Sequence, residues 1–187
     1  DIRCFLGTIF SVVRSDGVVE GGTGVKAIQA SQRTVQNRGD SEIMKIWLIN
    51  QYNMPPEYGH LNRHFNFGKY LKKLGHEPTV FVGSFLHNTK IQMIKDNFII
   101  RKYENADFPY YFIKTCDYSE SKFRRIYAMY EFYKNLLKAV KSFDKPDAIL
   151  GSSAHPLAAV AAIKLAKKFG CQSIVEIRDL WPESFVA

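Results

Sequence analysis

Cysteine is scarce in this chain: three in 187 residues, Cys4, Cys116 and Cys171, widely spaced. That excludes a disulfide framework, offers no metal-ligand spacing, and is the pattern of reduced thiols in a cytoplasmic protein. No apolar run reaches the roughly 20 residues that a membrane helix needs. The histidines supply one close pair, His60 and His64, with no third ligand near them, so plain surface or loop histidines outweigh a metal site. The glycines at 21, 22 and 24 follow no strand and lack the Lys-Ser or Lys-Thr of a phosphate loop. Ser152 and Ser153 lack the surroundings of a nucleophile elbow. Acidic residues are also short, 18 against 26 basic, for a net charge of +8. Residues 1–43 hold five of each, leaving 21 basic and 13 acidic beyond Ile43. Such an excess suits an anionic partner, but no nucleic-acid motif accompanies it, and nucleic acid is not expected as a partner.

What is present is a globular composition, 46% apolar and 14% aromatic, long enough for one sizeable core. Residues 1–14 put Ile2, Phe5, Leu6, Ile9, Val12 and Val13 on one helical face, and glycines then break the pattern. Residues 25–43 are polar and aperiodic, a linker. From Met44 the signals alternate. Residues 45–50 form a continuous apolar strand, and a loop with Pro55, Pro56 and Gly59 follows. A helix over 61–74 ends at Gly75, and a strand over 78–82 completes a right-handed β-α-β unit. Two strands, 97–103 and 110–115, flank a turn. A helix over 119–143 shows Phe123, Ile126, Tyr127, Tyr130, Tyr133, Leu137 and Val140 at three- and four-residue spacing. That stripe predicts packing on a sheet, and Lys122, Arg124, Arg125, Lys134, Lys138 and Lys141 beside it would also suit anionic lipid. A strand at 148–150, a turn at 151–156 and a helix from Pro156 to about Phe169 follow, with Pro156 and Gly170 at favoured ends.

The rest of the chain is arranged to present residues 175–183. Residues 174–177 read as a buried β-branched strand, and Arg178, Asp179 and Pro182 end it in a polar lip. Ligands of open parallel sheets bind at such carboxyl ends. An Arg-Asp pair closing a strand over a packed Trp181 is the plainer alternative. Parallel strands would bring His155 and the Gly59 loop to the same lip. His155 capping its own turn is the plain reading there.

Several motifs, in order, resemble one family. They are Met44-Lys45-Ile46-Trp47-Leu48-Ile49-Asn50-Gln51-Tyr52 with Pro55, Pro56 and Gly59; Gly75-His76-Glu77-Pro78; Pro146-Asp147-Ala148-Ile149-Leu150-Gly151-Ser152-Ser153 with His155-Pro156; and Arg178-Asp179-Leu180-Trp181-Pro182-Glu183-Ser184. Together they look like the amino-terminal domain of family 4 glycosyltransferases, of the bacterial branch that builds O-antigen and capsule sugars. The resemblance implies an α/β fold with a Rossmann-like, doubly wound and mostly parallel sheet, one half of a GT-B enzyme. It implies retaining transfer from a nucleotide-sugar donor to a polyprenyl-diphosphate-linked acceptor, with no cofactor and no metal. His155 would contact the donor sugar as the catalytic candidate, and Gly59 would let the loop approach it. Arg178 and Asp179 would shape the acceptor side, with His60, Ser153, Trp181 and Glu183 as further substrate contacts. Relatives often carry two adjacent glycines where Tyr58-Gly59-His60 stands, which weakens a phosphate role for that loop.

The resemblance covers residues 44–187. The family's carboxyl-terminal domain holds most of the nucleotide-sugar site, so the chain is expected to be a fragment. Residues 1–24 resemble instead the carboxyl-terminal tail of polyprenyl-phosphate sugar-1-phosphate transferases. This implies a fusion or two neighbouring genes read as one, the second favoured because residues 25–43 have no structural logic. The expected location is cytoplasmic, with the inner membrane face as a peripheral partner. The competing class is a Rossmann-like module that binds acceptor or membrane and turns nothing over.

Overall fold

The computed structural model describes residues 42–119 and 121–178, within which a compact unit begins at Met44. The expectations for residues 1–41, and those for Asp179, Trp181 and Glu183, lie outside the described residues. The elements are β1 (Lys45–Ile49), a 3-10 turn (Pro56–Tyr58), α1 (Arg63–Lys73), β2 (Glu77–Gly83), β3 (Ile100–Lys102) and β4 (Tyr110–Ile113). They continue with α2 (Lys122–Ala139), a second 3-10 turn (Val140–Ser142), β5 (Ala148–Ser152), α3 (Pro156–Phe169) and β6 (Gln172–Glu176).

One six-stranded sheet runs β3-β4-β2-β1-β5-β6. Every pairing is parallel except β3 with β4. The protein is therefore an α/β fold with a mostly parallel, Rossmann-like sheet. β1 lies in the middle because its run of Ile46, Trp47, Leu48 and Ile49 is apolar on both faces, which only a strand covered on both sides can bury. One face carries Trp47, Ile49, Phe81 and Ile149 against Phe132, Leu136 and Val140 of the α2 segment and the alanines of α3. Trp47 anchors that layer, edge-on to Phe81 and Phe169 with ring centres 5.2 Å away in each case. α1 packs on β2, burying Phe67 and Leu71. Crossovers from β1 to β2 and from β4 to β5 run in opposite directions, so right-handed connections put α1 and α2 on opposite faces.

Gly151 sets the distance between β5 and α3. A Cβ there would stand 2.5 Å from the Ala162 Cβ and 3.1 Å from both the Ala158 carbonyl oxygen and the Ala159 Cα. Backbone cannot swing aside as a side chain does, so Gly151→Ala is expected to cost about 1–3 kcal/mol. Urea denaturation checks this, and an unchanged midpoint would mean that α3 rides loosely on the sheet.

Three expectations need correcting. The strand at 174–177 is β6, Gln172–Glu176, an edge strand and not a buried one; Val175 is 39% and Ile177 69% exposed. The antiparallel β3 is only three residues long, where 97–103 was expected. The stripe on the 119–143 helix holds in its second half, where Tyr133, Leu137 and Val140 pack against the core, and fails in its first. α2 buries Ala128, Met129, Phe132 and Leu136, while Phe123, Ile126, Tyr127 and Tyr130 face outward.

Candidate functional site

β1 is flanked by β2 on one side and β5 on the other. The chain leaves β1 toward β2 and leaves β5 toward β6, in opposite directions along the sheet, which opens a crevice at the carboxyl ends of β1 and β5. The residues at or just past those ends are polar and yet buried: Asn50 at 2%, Gln51 at 1%, Asn53 at 2%, Ser152 and His155 at 0%. Two networks fill the lip.

The first centres on His64, in the first turn of α1 and fully buried. Its expected place as a surface or loop histidine is wrong, and the exposed His60 does not share its surroundings. The Asn50 side-chain oxygen accepts from the Tyr52 N–H at 3.0 Å, which leaves its amide nitrogen to donate to His64 Nδ1 at 2.9 Å. That assigns the ring proton to Nε2, which faces the Glu176 carboxylate at 3.3 Å. Arg63 meets the other Glu176 oxygen at 2.6 Å. Neither approach is aligned as a hydrogen bond, so the carboxylate is held by ion-pair distance and field. Burial pushes His64 below its ordinary pKa more than Glu176 raises it, and the ring is neutral. For Glu176, burial alone would raise the carboxyl; His64, the Ser152 hydroxyl and Arg63 outweigh it and keep it ionised. The Asn53 side chain accepts from the His64 N–H at 2.9 Å. The ends of β1, β5 and β6 and the start of α1 are thus stapled together.

The second network surrounds His155. Its ring lies 5.5 Å from Tyr52 and 6.2 Å from Phe132, centre to centre, and neither nitrogen has a hydrogen-bond partner. It makes no side-chain cap to α3, so the turn-capping alternative fails. Burial first, and the Arg125 charge second, push its pKa down to about 4. Arg125 reaches in from α2, its guanidinium 5.4 Å above the Tyr52 ring and its Nε donating to the Tyr52 hydroxyl at 3.4 Å. His87 and the Tyr118 hydroxyl sit 3.2 Å apart beside Tyr52. Burial holds His87 neutral and the Tyr118 hydroxyl protonated. The assembly offers a neutral ring with one donor and one acceptor, phenolic hydroxyls and one cation. That set can orient a polyhydroxyl or anionic ligand, and its neutral histidines are poor general acids near neutrality.

The other sequence candidates fall around this lip. Ser153 donates its N–H to the Glu176 carbonyl at 2.8 Å, and its hydroxyl accepts from the Arg178 N–H at 3.1 Å. The Arg178 side chain is exposed. Gly59 has φ +154°, a backbone that favours glycine, in the loop after β1. Sequence reasoning missed His64, Glu176, Asn50, Tyr52 and Arg125 as site residues. The four polar residues of 50–53 directly after an apolar strand were the available signal. The described residues contain no cluster of metal-ligating side chains. No protein-family model and no curated protein matches the chain.

Proposed function

We propose that the unit beginning at Met44 is the acceptor-side half of a retaining GT-B glycosyltransferase, moving a sugar from a nucleotide-sugar to a lipid-linked glycan. The observation that carries this reading is His155: fully buried at the switch-point lip, neutral, with both ring nitrogens unpartnered. An unsatisfied buried imidazole costs stability unless something else satisfies it, and a sugar hydroxyl both gives and takes a hydrogen bond. Retaining transfer of this type asks the protein chiefly to position reactants and stabilise charge. Arg125 supplies a cation for a diphosphate, and Gly59, His60, Ser153 and Arg178 rim the approach. The nucleotide-sugar is a substrate, and the reading calls for no metal. A membrane-facing cytoplasmic site would suit the acceptor; among the described residues no helix is long and apolar enough to cross a bilayer.

The test has two arms. The 187-residue chain alone is expected not to transfer sugar, because positioning needs both walls of a cleft; measurable nucleotide-sugar-dependent glycosylation by it would refute that. In a protein where a second Rossmann-like half completes the cleft, His155→Ala is expected to lower kcat/KM by roughly tenfold, about one oriented hydrogen bond, with the thermal midpoint nearly unchanged. Unchanged turnover would end the role assigned to His155, and a midpoint falling in step with activity would make it structural. A chain that binds acceptor while the completed protein never turns over would instead be a binding module.

A further inference from the structure

We propose that the outward face of α2 docks this protein on an anionic lipid surface, inserting Phe123, Ile126, Tyr127 and Tyr130 as an apolar wedge. These four are spaced three and four apart on one helical face, at 84%, 63%, 58% and 51% exposed. Isolated exposed apolar residues are ordinary, but four large ones stacked along two turns form a patch that water penalises. The helix already has its own core face in Ala128, Met129, Phe132 and Leu136, so the wedge is a second apolar face and not a misplaced first.

Charge selects the partner. Lys122, Arg124, Lys134 and Lys138 ring the wedge, carried by the same helix. Glu131, the acid described within the helix, is half-buried and turned inward, where its carboxylate accepts the Cys116 N–H at 2.6 Å. An apolar ridge bearing two tyrosines and ringed by cations matches a headgroup region of negative charge, where aromatic hydroxyls stay wet and alkyl chains meet the apolar edge. A neutral protein groove would leave the cations without partners. Arg125 does not belong to this ring, because it turns inward over Tyr52. The inference stands apart from the glycosyl-transfer reading, since a membrane-bound protein of any activity could use this face.

The experiment uses the full chain with vesicles of phosphatidylcholine alone and of phosphatidylcholine with phosphatidylglycerol. Sedimentation is expected with the anionic vesicles only, and added salt should weaken it. One variant carries Phe123→Ser and Ile126→Ser; another carries Gln at Lys122, Arg124, Lys134 and Lys138. Each is expected to lower the partition coefficient roughly tenfold or more, with far-UV circular dichroism unchanged because these side chains lie outside the core. A Phe123→Trp reporter should blue-shift on vesicle addition, which bulk charge attraction at a distance would not cause. Binding that survives both variants would place the lipid contact elsewhere in the chain and overturn the proposal. So would a reporter that stays water-exposed. A parent chain that dimerises in sedimentation velocity, ignores vesicles and becomes monomeric in the serine variant would assign the face to a second copy instead.

Discussion

Acidification from pH 7 to pH 4 is expected to remove roughly 3 kcal/mol of stability through His155 alone. The unfolded chain binds that proton at its ordinary 6.5, whereas the folded chain resists it until about 4. Between those values the unfolded state holds more protons, so stability falls as pH falls. The loss is absent above 6.5 and complete below about 4. His64, His76 and His87 are also held below their ordinary value by burial and act in the same direction. Glu176 adds to the trend from the other side. Its lowered pKa gives stability that is present above the ordinary 4.5 and lost as pH drops through the folded value. Urea midpoints measured across the window check this. His155→Leu, which cannot titrate, should show a visibly flatter pH profile than the parent. Identical profiles would mean that the ring is not neutral and buried in the folded protein.

The same burial explains which parts of the fold were legible in the sequence. β1 and β5 could be placed because a strand apolar on both faces has one home, the middle of a covered sheet, and 46–49 and 148–150 are such runs. α3 could be bounded because Pro156 opens it and Gly170, at φ +60°, takes the left-handed conformation that closes it. The face of α2 could not be chosen this way. Its sequence satisfies the helical period twice, once with Phe123, Ile126, Tyr127 and Tyr130 and once with Ala128, Met129, Phe132 and Leu136. Side-chain size favours the first set, but the close approach of α2 and α3 in the packed layer suits the smaller residues. Nor does a β-branched run such as Ile174, Val175 and Ile177 say that the sheet ends there; edge position depends on which strands come to lie beside it.

For the candidate site, local spacing put His155 at the carboxyl-end lip of the sheet, because a strand-to-helix turn after a central strand has to emerge there. It misjudged His64, which pattern placed beside His60 as a surface pair. Burial of His64 depends on Asn50, 14 residues before it, and on Glu176 in the edge strand at the far end of the chain. No window of sequence holds both. The polarity of Asn50, Gln51 and Asn53 was visible, but their burial comes from the loops that close over them.

Glu176→Ala is expected to cost about 3 kcal/mol, because it removes the carboxylate that faces both the buried His64 Nε2–H and Arg63. The Glu176 side chain is 10% exposed and His64 is fully buried, so water cannot readily replace the lost carboxylate. Glu176→Gln keeps an oxygen for His64 Nε2 while deleting the charge, and should cost about 1 kcal/mol. The difference between the two separates the share of the side chain's polar oxygen from that of its charge. His64→Leu removes the other partner, leaving Asn50 without its acceptor and Glu176 facing an apolar side chain. If the pair acts as one unit, His64→Leu with Glu176→Leu should cost less than the two single changes together, by about 1–3 kcal/mol. Additive losses would reduce the contact to coincidence. The consequence reaches the lip, since the Glu176 backbone carbonyl receives the Ser153 N–H, two residues before His155. A loosened β6 end would therefore blur the position of His155 before the sheet itself gave way.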